Sequence, residues 1–173
     1  MIRLSADKYG IFVSGFILAV CLITTPAAVF ASAQKGQPAP PFKVTTTSGQ
    51  TLTLANYKGY VLILDFFASW CQPCKNSIPH IMELNRIYGK QGLQILGLSL
   101  DEDKEDLTDF IVPFKLNYPV AQINENLQTE YGIHSIPTLY IINKKGIIAG
   151  KYMGLTDEVK KNVELEIKQL LAE

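Results

Sequence analysis

The residues best suited to chemistry are Cys71 and Cys74, which stand two residues apart within positions 70–75, WCQPCK. Cysteines at this spacing form a reversible dithiol/disulfide pair, because one sulfur reaches the other with little backbone movement. The pair follows the apolar run at residues 61–67 and precedes a helical pattern. A helix N-terminus offers free N–H groups and the positive end of the helix dipole, which favour a thiolate. The sequence therefore predicts thiol–disulfide exchange.

The two cysteines are expected to have different roles. Cys71 lies at the N-terminal end of the predicted helix and is the candidate nucleophile, with a thiol pKa below that of a free cysteine. Cys74, one turn further on, is expected to be buried and to attack only after a mixed disulfide has formed. Pro73 restrains the loop between them. No histidine lies between the cysteines to stabilise the thiolate further, which favours a reductant over an oxidant.

Asp65 interrupts the otherwise apolar strand at residues 61–67. A carboxylate there is costly unless it is protonated or paired. Strand alternation puts Asp65 on the same face as Phe67, from which it could approach Cys74. Burial would raise the pKa of the carboxyl and suit it to take a proton from the Cys74 thiol. The alternative is a carboxylate at a strand end held by a backbone N–H or a lysine.

Pro137 opens a predicted strand after a turn and is a candidate for a cis peptide bond. Beside the dithiol it would leave the Ile136 backbone free to pair with an extended substrate and would block metal approach to the sulfurs. An ordinary trans loop proline is the alternative. The predicted substrate-binding residues are Trp70, Gln72, Pro73, Ile136 and Pro137.

A metal site is the competing interpretation of the cysteine pair. His134 precedes the Pro137 loop, and two sulfurs with a histidine could bind copper or zinc. Structural zinc needs four ligands, and the chain outside its N-terminal apolar segment has no third cysteine. We therefore predict neither a metal nor a bound cofactor. His80 is expected to lie on the surface.

The elements that must position these residues alternate between strands and helices. They are a hairpin around residues 48–49, a strand over 60–67, a helix over 74–88 containing Pro79, a strand over 93–100, a helix capped by 101–103 and ending near 114, a strand over 119–123, a helix over 125–131, strands over 139–142 and 147–152, and a helix capped by Thr156. This order predicts an α/β/α sandwich with a mixed sheet. The cysteines would lie beyond the C-terminal end of a strand, where open α/β sheets hold their reactive sites.

The first 33 residues form a separate segment with the layout of an export signal. Arg3 and Lys8 precede an apolar stretch at residues 11–30, and the small residues 31–33 follow. This predicts a signal peptide or membrane anchor over residues 1–33 and a folded domain over residues 34–173.

Two fates of that segment remain open. Pro26 and the small-residue site favour cleavage before Gln34, whereas the length of the apolar stretch approaches that of a membrane anchor. Cys21 lies inside the segment and is interpreted as an apolar filler. The formal net charge of zero gives no basic surface for nucleic acid.

The chain resembles the thioredoxin superfamily, and within it the exported TlpA/ResA-like branch. The likeness covers about residues 36–171 and rests on Trp70 before the cysteines and on stretches at 39–42, 57–59, 67–74, 97–101 and 136–138. It implies a thioredoxin-like fold with an N-terminal β-hairpin, a central insertion, a cis Pro137 and a redox-active Cys71–Cys74 pair. Asp65 falls where cytoplasmic thioredoxins carry a buried aspartate and many ResA-like proteins carry asparagine. Gln72 replaces the acidic residue that ResA has between its cysteines.

The predicted function is that of an exported thiol–disulfide oxidoreductase that reduces protein disulfides at a periplasmic or other extracytoplasmic face. The resemblance implies electrons from a membrane dithiol relay of the DsbD/CcdA kind. It also implies apocytochrome c as a substrate, beside a broader range. A thiol peroxidase would need a threonine and an arginine that are not found around Cys71. An SCO-like copper chaperone would space its cysteines by three residues instead of two.

Overall fold

A computed structural model describes residues 33–173 of the chain. The predicted signal or anchor lies outside the described residues, apart from Ala33, and stays a prediction. Within the described part of the chain, no helix is both long and apolar enough to cross a membrane.

The described residues form seven strands and four α-helices. In chain order they are β1 (Lys43–Thr45), β2 (Thr51–Thr53), β3 (Val61–Phe67), α1 (Gln72–Tyr88), β4 (Leu93–Ser99), α2 (Lys104–Phe114), β5 (Val120–Gln122), α3 (Glu125–Glu130), β6 (Thr138–Ile142), β7 (Ile148–Met153) and α4 (Asp157–Ala172). Short 3-10 helices follow β2 and α1. The predicted order of elements is confirmed, and α1 begins two residues earlier than expected.

Five strands form a mixed central sheet in the order β5-β4-β3-β6-β7. β3 is parallel to β4, and β4 is parallel to β5, whereas β6 is antiparallel to both β3 and β7. β1 and β2 form a separate antiparallel hairpin, as predicted. α2 and β5 stand between β4 and α3 and make up the predicted insertion.

The sheet separates two apolar cores, which makes the molecule three-layered. Val61, Ile63 and Phe67 pack with side chains of α1, α2 and α4 on one face. Leu62 and Leu64 pack with the β1–β2 hairpin and α3 on the other face. Every residue of β3 is buried, which explains its continuous apolar sequence. β3 therefore carries the active-site loop from the centre of the fold.

The helix ends follow from local chemistry. The Thr156 side chain accepts a hydrogen bond from the Val159 N–H at 3.3 Å, so the predicted cap of α4 is confirmed. Pro73 lies in the first turn of α1, where the missing N–H of proline costs no helical hydrogen bond. On the inner side of α1, Ile78 and Ile81 are fully buried and Met82 is half-buried.

Candidate active site

The site is built around a disulfide between Cys71 and Cys74, whose Cα atoms are 5.3 Å apart. β3 ends at Phe67, and α1 begins at Gln72, so the pair lies where the strand meets the helix. Cys71 is the N-cap of α1, and its Sγ accepts a hydrogen bond from the Cys74 N–H at 3.2 Å. A thiolate at this sulfur would face the free N–H groups of the first turn.

The residues around the disulfide differ sharply in exposure. Cys74 is fully buried, as predicted, and Cys71 keeps 4% of its surface. Trp70 is 68% exposed, and Gln72 and Pro73 are also exposed. An incoming sulfur therefore meets Cys71 before Cys74, beside an exposed indole.

Asp65 lies in the middle of β3, opposite Gly97 of β4 and Leu139 of β6. Asp65 is 1% exposed, and its Oδ1 has no hydrogen-bond partner within the described residues. The Tyr118 hydroxyl donates to Oδ2 at 3.4 Å. Burial raises the pKa of Asp65 to about 7, and the bond from Tyr118 opposes that rise. The predicted burial and raised pKa are confirmed, and no lysine or backbone N–H is recorded on this carboxyl among residues 33–173.

The face of β3 that carries Asp65 also carries Phe67, and Phe67 belongs to the same apolar cluster as Cys74. The buried carboxyl and the buried sulfur therefore share one side of the sheet, under α1. Sequence reasoning missed Tyr118, because it comes from the segment before β5, 53 residues away from Asp65, and no local spacing predicts that approach.

The peptide bond between Ile136 and Pro137 is cis, as predicted. Pro137 is buried and Ile136 is half-buried. The Pro137 carbonyl accepts a hydrogen bond from the Gly154 N–H at 2.8 Å, which ties this loop to the end of β7. No hydrogen bond of the Ile136 main chain is recorded within the described residues, so that main chain is available for pairing with another strand.

Asp101 holds the loop that leads into the cysteines. Its buried carboxylate accepts the Ser69 N–H at 3.0 Å, the Ser69 hydroxyl at 2.7 Å and the Ser99 hydroxyl at 2.6 Å. α2 is capped within the predicted residues 101–103, whereas the Asp101 carboxylate itself faces Ser69. Asp103 is the N-cap of α2 and makes no side-chain cap bond. The parallel pairing of Phe67 with Ser99 brings the two strand ends together and explains this contact.

The histidines do not join the cysteines in a recognisable metal site. Among residues 33–173, no group of three or more His, Cys, Asp or Glu side chains is placed to hold a metal ion. His134 is exposed. His80 is half-buried instead of lying on the surface, and its buried Nε2 has no hydrogen-bond partner in the described part of the chain. Burial lowers the pKa of His80, and the charge of Lys160 lowers it further, against the opposing charges of Glu164 and Glu83.

Comparisons with known proteins agree with this geometry. A model of the AhpC/TSA family matches residues 35–151. The chain is 30% identical over 138 residues to the thiol-disulfide oxidoreductase ResA of Bacillus thuringiensis, which covers 79% of each chain. It is 28% identical over 137 residues to the thioredoxin-like protein YneN of Bacillus subtilis, covering 78% of this chain and 80% of YneN.

A solved structure gives the same result for the fold. A Chlorobium tepidum protein described as a thiol:disulfide interchange protein DsbE superposes with a TM-score of 0.77 at 29% identity, covering 81% of this chain and 99% of that one. The mixed sheet and flanking helices are therefore those of the thioredoxin-like fold. With its paired cysteines at the start of α1, the chain belongs to the AhpC/TSA family and is a thiol–disulfide oxidoreductase similar to ResA.

Proposed function

We propose that this oxidoreductase reduces disulfides of protein substrates on the extracytoplasmic side of a membrane. The observation that carries the proposal is the Cys71–Cys74 disulfide at the N-terminus of α1, in which Cys71 alone keeps any exposed surface. A helix N-terminus stabilises the Cys71 thiolate. The absence of a histidine between the cysteines leaves that thiolate less stabilised than in a strong oxidant.

The first step is attack on the substrate. In the reduced protein, the Cys71 thiolate attacks one sulfur of a substrate disulfide. A bond forms between Cys71 and that sulfur, and the substrate S–S bond breaks. The released substrate sulfur takes a proton from solvent. Cys74 stays buried during this step and does not react with the incoming disulfide.

The second step is resolution. The Cys74 thiol gives its proton to the Asp65 carboxylate, and its sulfur then attacks the Cys71 sulfur. The Cys71–Cys74 bond forms, and the bond from Cys71 to the substrate breaks. The second substrate sulfur leaves as a thiolate and is protonated by solvent. The raised pKa of Asp65, about 7, suits this carboxyl to exchange a proton near neutral pH.

The substrate gains two electrons and two protons in all, and the protein ends in the disulfide form. A dithiol donor must then reduce the Cys71–Cys74 bond. A membrane relay of the DsbD/CcdA kind is our proposed donor, on the basis of the resemblance to the TlpA/ResA-like branch. No bound cofactor is required for either half of the cycle.

The proposed substrate surface consists of Trp70, Gln72, Pro73, Ile136 and Pro137. The exposed indole and the unpaired Ile136 main chain suit an extended segment that contains a disulfide. The haem-attachment cysteines of an apocytochrome c have this form, and we propose them as one substrate within a broader range. Export by residues 1–33, as a cleaved signal or a retained anchor, would bring the protein to such substrates.

Trapping tests this proposal directly. Full-length Cys74→Ser and Cys71→Ser variants are reduced and mixed with a disulfide-bonded apocytochrome c peptide. Cys74→Ser should accumulate a mixed disulfide through Cys71, because the resolving sulfur is missing, whereas Cys71→Ser should accumulate none. Equal trapping by both variants would contradict the assigned roles. Net oxidation of the reduced peptide by the wild-type disulfide would contradict the reductant assignment.

A further inference from the structure

The space beside Asp65 exists because β4 carries a glycine at the facing position. Gly97 pairs with Asp65 in the parallel register of β3 and β4. A Cβ atom at Gly97 would lie 3.0 Å from Phe67 Cε1, 3.1 Å from Val120 Cγ2 and 3.2 Å from Tyr118 Cε2. The missing side chain therefore admits the Tyr118 ring to this face of the sheet.

The backbone fixes that ring in place. The Gly97 N–H donates to the Pro119 carbonyl at 2.9 Å, so the segment next to Tyr118 is tied to β4. The Tyr118 hydroxyl then donates to Oδ2 of Asp65 at 3.4 Å, and both side chains are buried. Within residues 33–173, Oδ1 has no hydrogen-bond partner. One carboxyl oxygen is therefore held, and the other is free to receive a proton.

We propose that Tyr118 is the positioning residue of Asp65. Its hydroxyl holds Oδ2, turns Oδ1 toward the proton of Cys74 and stabilises the ionised carboxylate that must accept that proton. The inference rests on the proposed role of Asp65 in resolution and adds to it the group that controls Asp65.

Tyr118 is the side chain that acts on the pKa of Asp65, beside burial itself. β4, β6, α2 and α4 contribute apolar side chains to the buried cluster on this face of the sheet. α1 contributes the Ser77 hydroxyl, which donates to the Cys74 carbonyl, and Cys74 itself, which titrates only when the disulfide is open. The Lys75 ammonium of α1 lies over the Phe110 ring, 5.8 Å from its centroid. Burial, followed by the charge and the hydrogen bond of Asp65, raises the pKa of Tyr118 well above its usual value. The phenol therefore stays protonated and remains a donor throughout the working pH range.

The test is Tyr118→Phe in the full-length protein, which keeps the ring and removes the hydroxyl. The titration midpoint of the Asp65 carboxyl, followed by ¹³C NMR, should rise by about one pH unit, as expected for the loss of one hydrogen bond to the ionised form. The resolution rate at pH 7 should then fall roughly fivefold and recover above about pH 9, because fewer Asp65 side chains are ionised at neutral pH. Tyr88→Phe is the matched control, since it removes a hydroxyl that donates to Glu164 at 2.7 Å, and it should change neither quantity.

A fluorotyrosine at position 118 provides the opposite perturbation. Its more acidic hydroxyl is a stronger donor, so the Asp65 midpoint should fall instead of rising. An unchanged Asp65 midpoint in both proteins, with a pH profile that Asp65→Asn abolishes, would overturn the role of Tyr118 alone. A shifted midpoint with an unchanged rate profile in every variant would remove Asp65 from the mechanism, and the inference would fail with it.

Discussion

Replacing Asp65 by asparagine should stabilise the oxidised protein, and the gain should depend on pH. Burial raises the pKa of the Asp65 carboxyl from 3.8 to about 7. Between these two pH values, the Asp65 carboxyl is therefore protonated in the folded state and ionised in the unfolded chain. The stability of the wild-type protein should fall as pH rises from about 4 to about 7 and then level off. Asparagine is neutral throughout, so Asp65→Asn should not show this loss.

The interval between those two pKa values corresponds to about 4 kcal/mol of unfolding free energy. The advantage of Asp65→Asn over the wild type should therefore grow by about this amount between pH 4 and pH 8. Denaturant unfolding of the full-length disulfide form at several pH values measures it. Asp109→Asn, which changes an exposed carboxyl on α2, is the matched control and should run parallel to the wild type. A constant difference between Asp65→Asn and the wild type across this range would refute the reasoning.

Three further changes test the groups around the disulfide. Asp101→Asn should destabilise the protein by about 2 kcal/mol, because hydrogen bonds to a buried charge are lost. Hydrogen exchange at the Ser69 amide should accelerate, and unchanged exchange would contradict the view that Asp101 holds this loop. Gly97→Ala should cost about 1–3 kcal/mol through overpacking and raise the Asp65 midpoint by displacing Tyr118; an unchanged midpoint would show that the ring has not moved. Trp70→Ala should weaken reduction of a peptide disulfide and leave reduction of a small aromatic disulfide nearly unaltered, because the exposed indole contacts only the larger substrate; equal losses would contradict a substrate-binding role.

The sequence predicted those parts of the site that lie close together along the chain. The apolar run that became β3 has the length and composition of a strand covered on both faces. A carboxylate within such a run must be protonated or paired, so Asp65 was recognisable from its neighbours alone. The proximity of the two cysteine sulfurs was also predictable, because a separation of two residues at a helix start already brings them together.

The parts that escaped prediction depend on contacts between distant segments. Tyr118 reaches Asp65 through space left by Gly97, and neither residue has a distinctive sequence context. Asp101 resembles a helix cap in sequence, and the register of β3 with β4 turns it toward Ser69 instead. His80 was expected at the surface, and yet it is half-buried, and charged side chains of both α1 and α4 shift its pKa.

Alkylation of the reduced full-length protein tests the central claim most directly. The Cys71–Cys74 disulfide is reduced with dithiothreitol, and the protein is treated with limiting iodoacetamide across a range of pH. The alkylated cysteines are then identified by mass spectrometry. We predict that Cys71 is labelled first, at a rate that already levels off near neutral pH, that Cys74 stays protected, and that the unlabelled fraction recloses its disulfide when the reductant is removed. Equal labelling of both cysteines, or a pair that fails to reclose, would contradict the account.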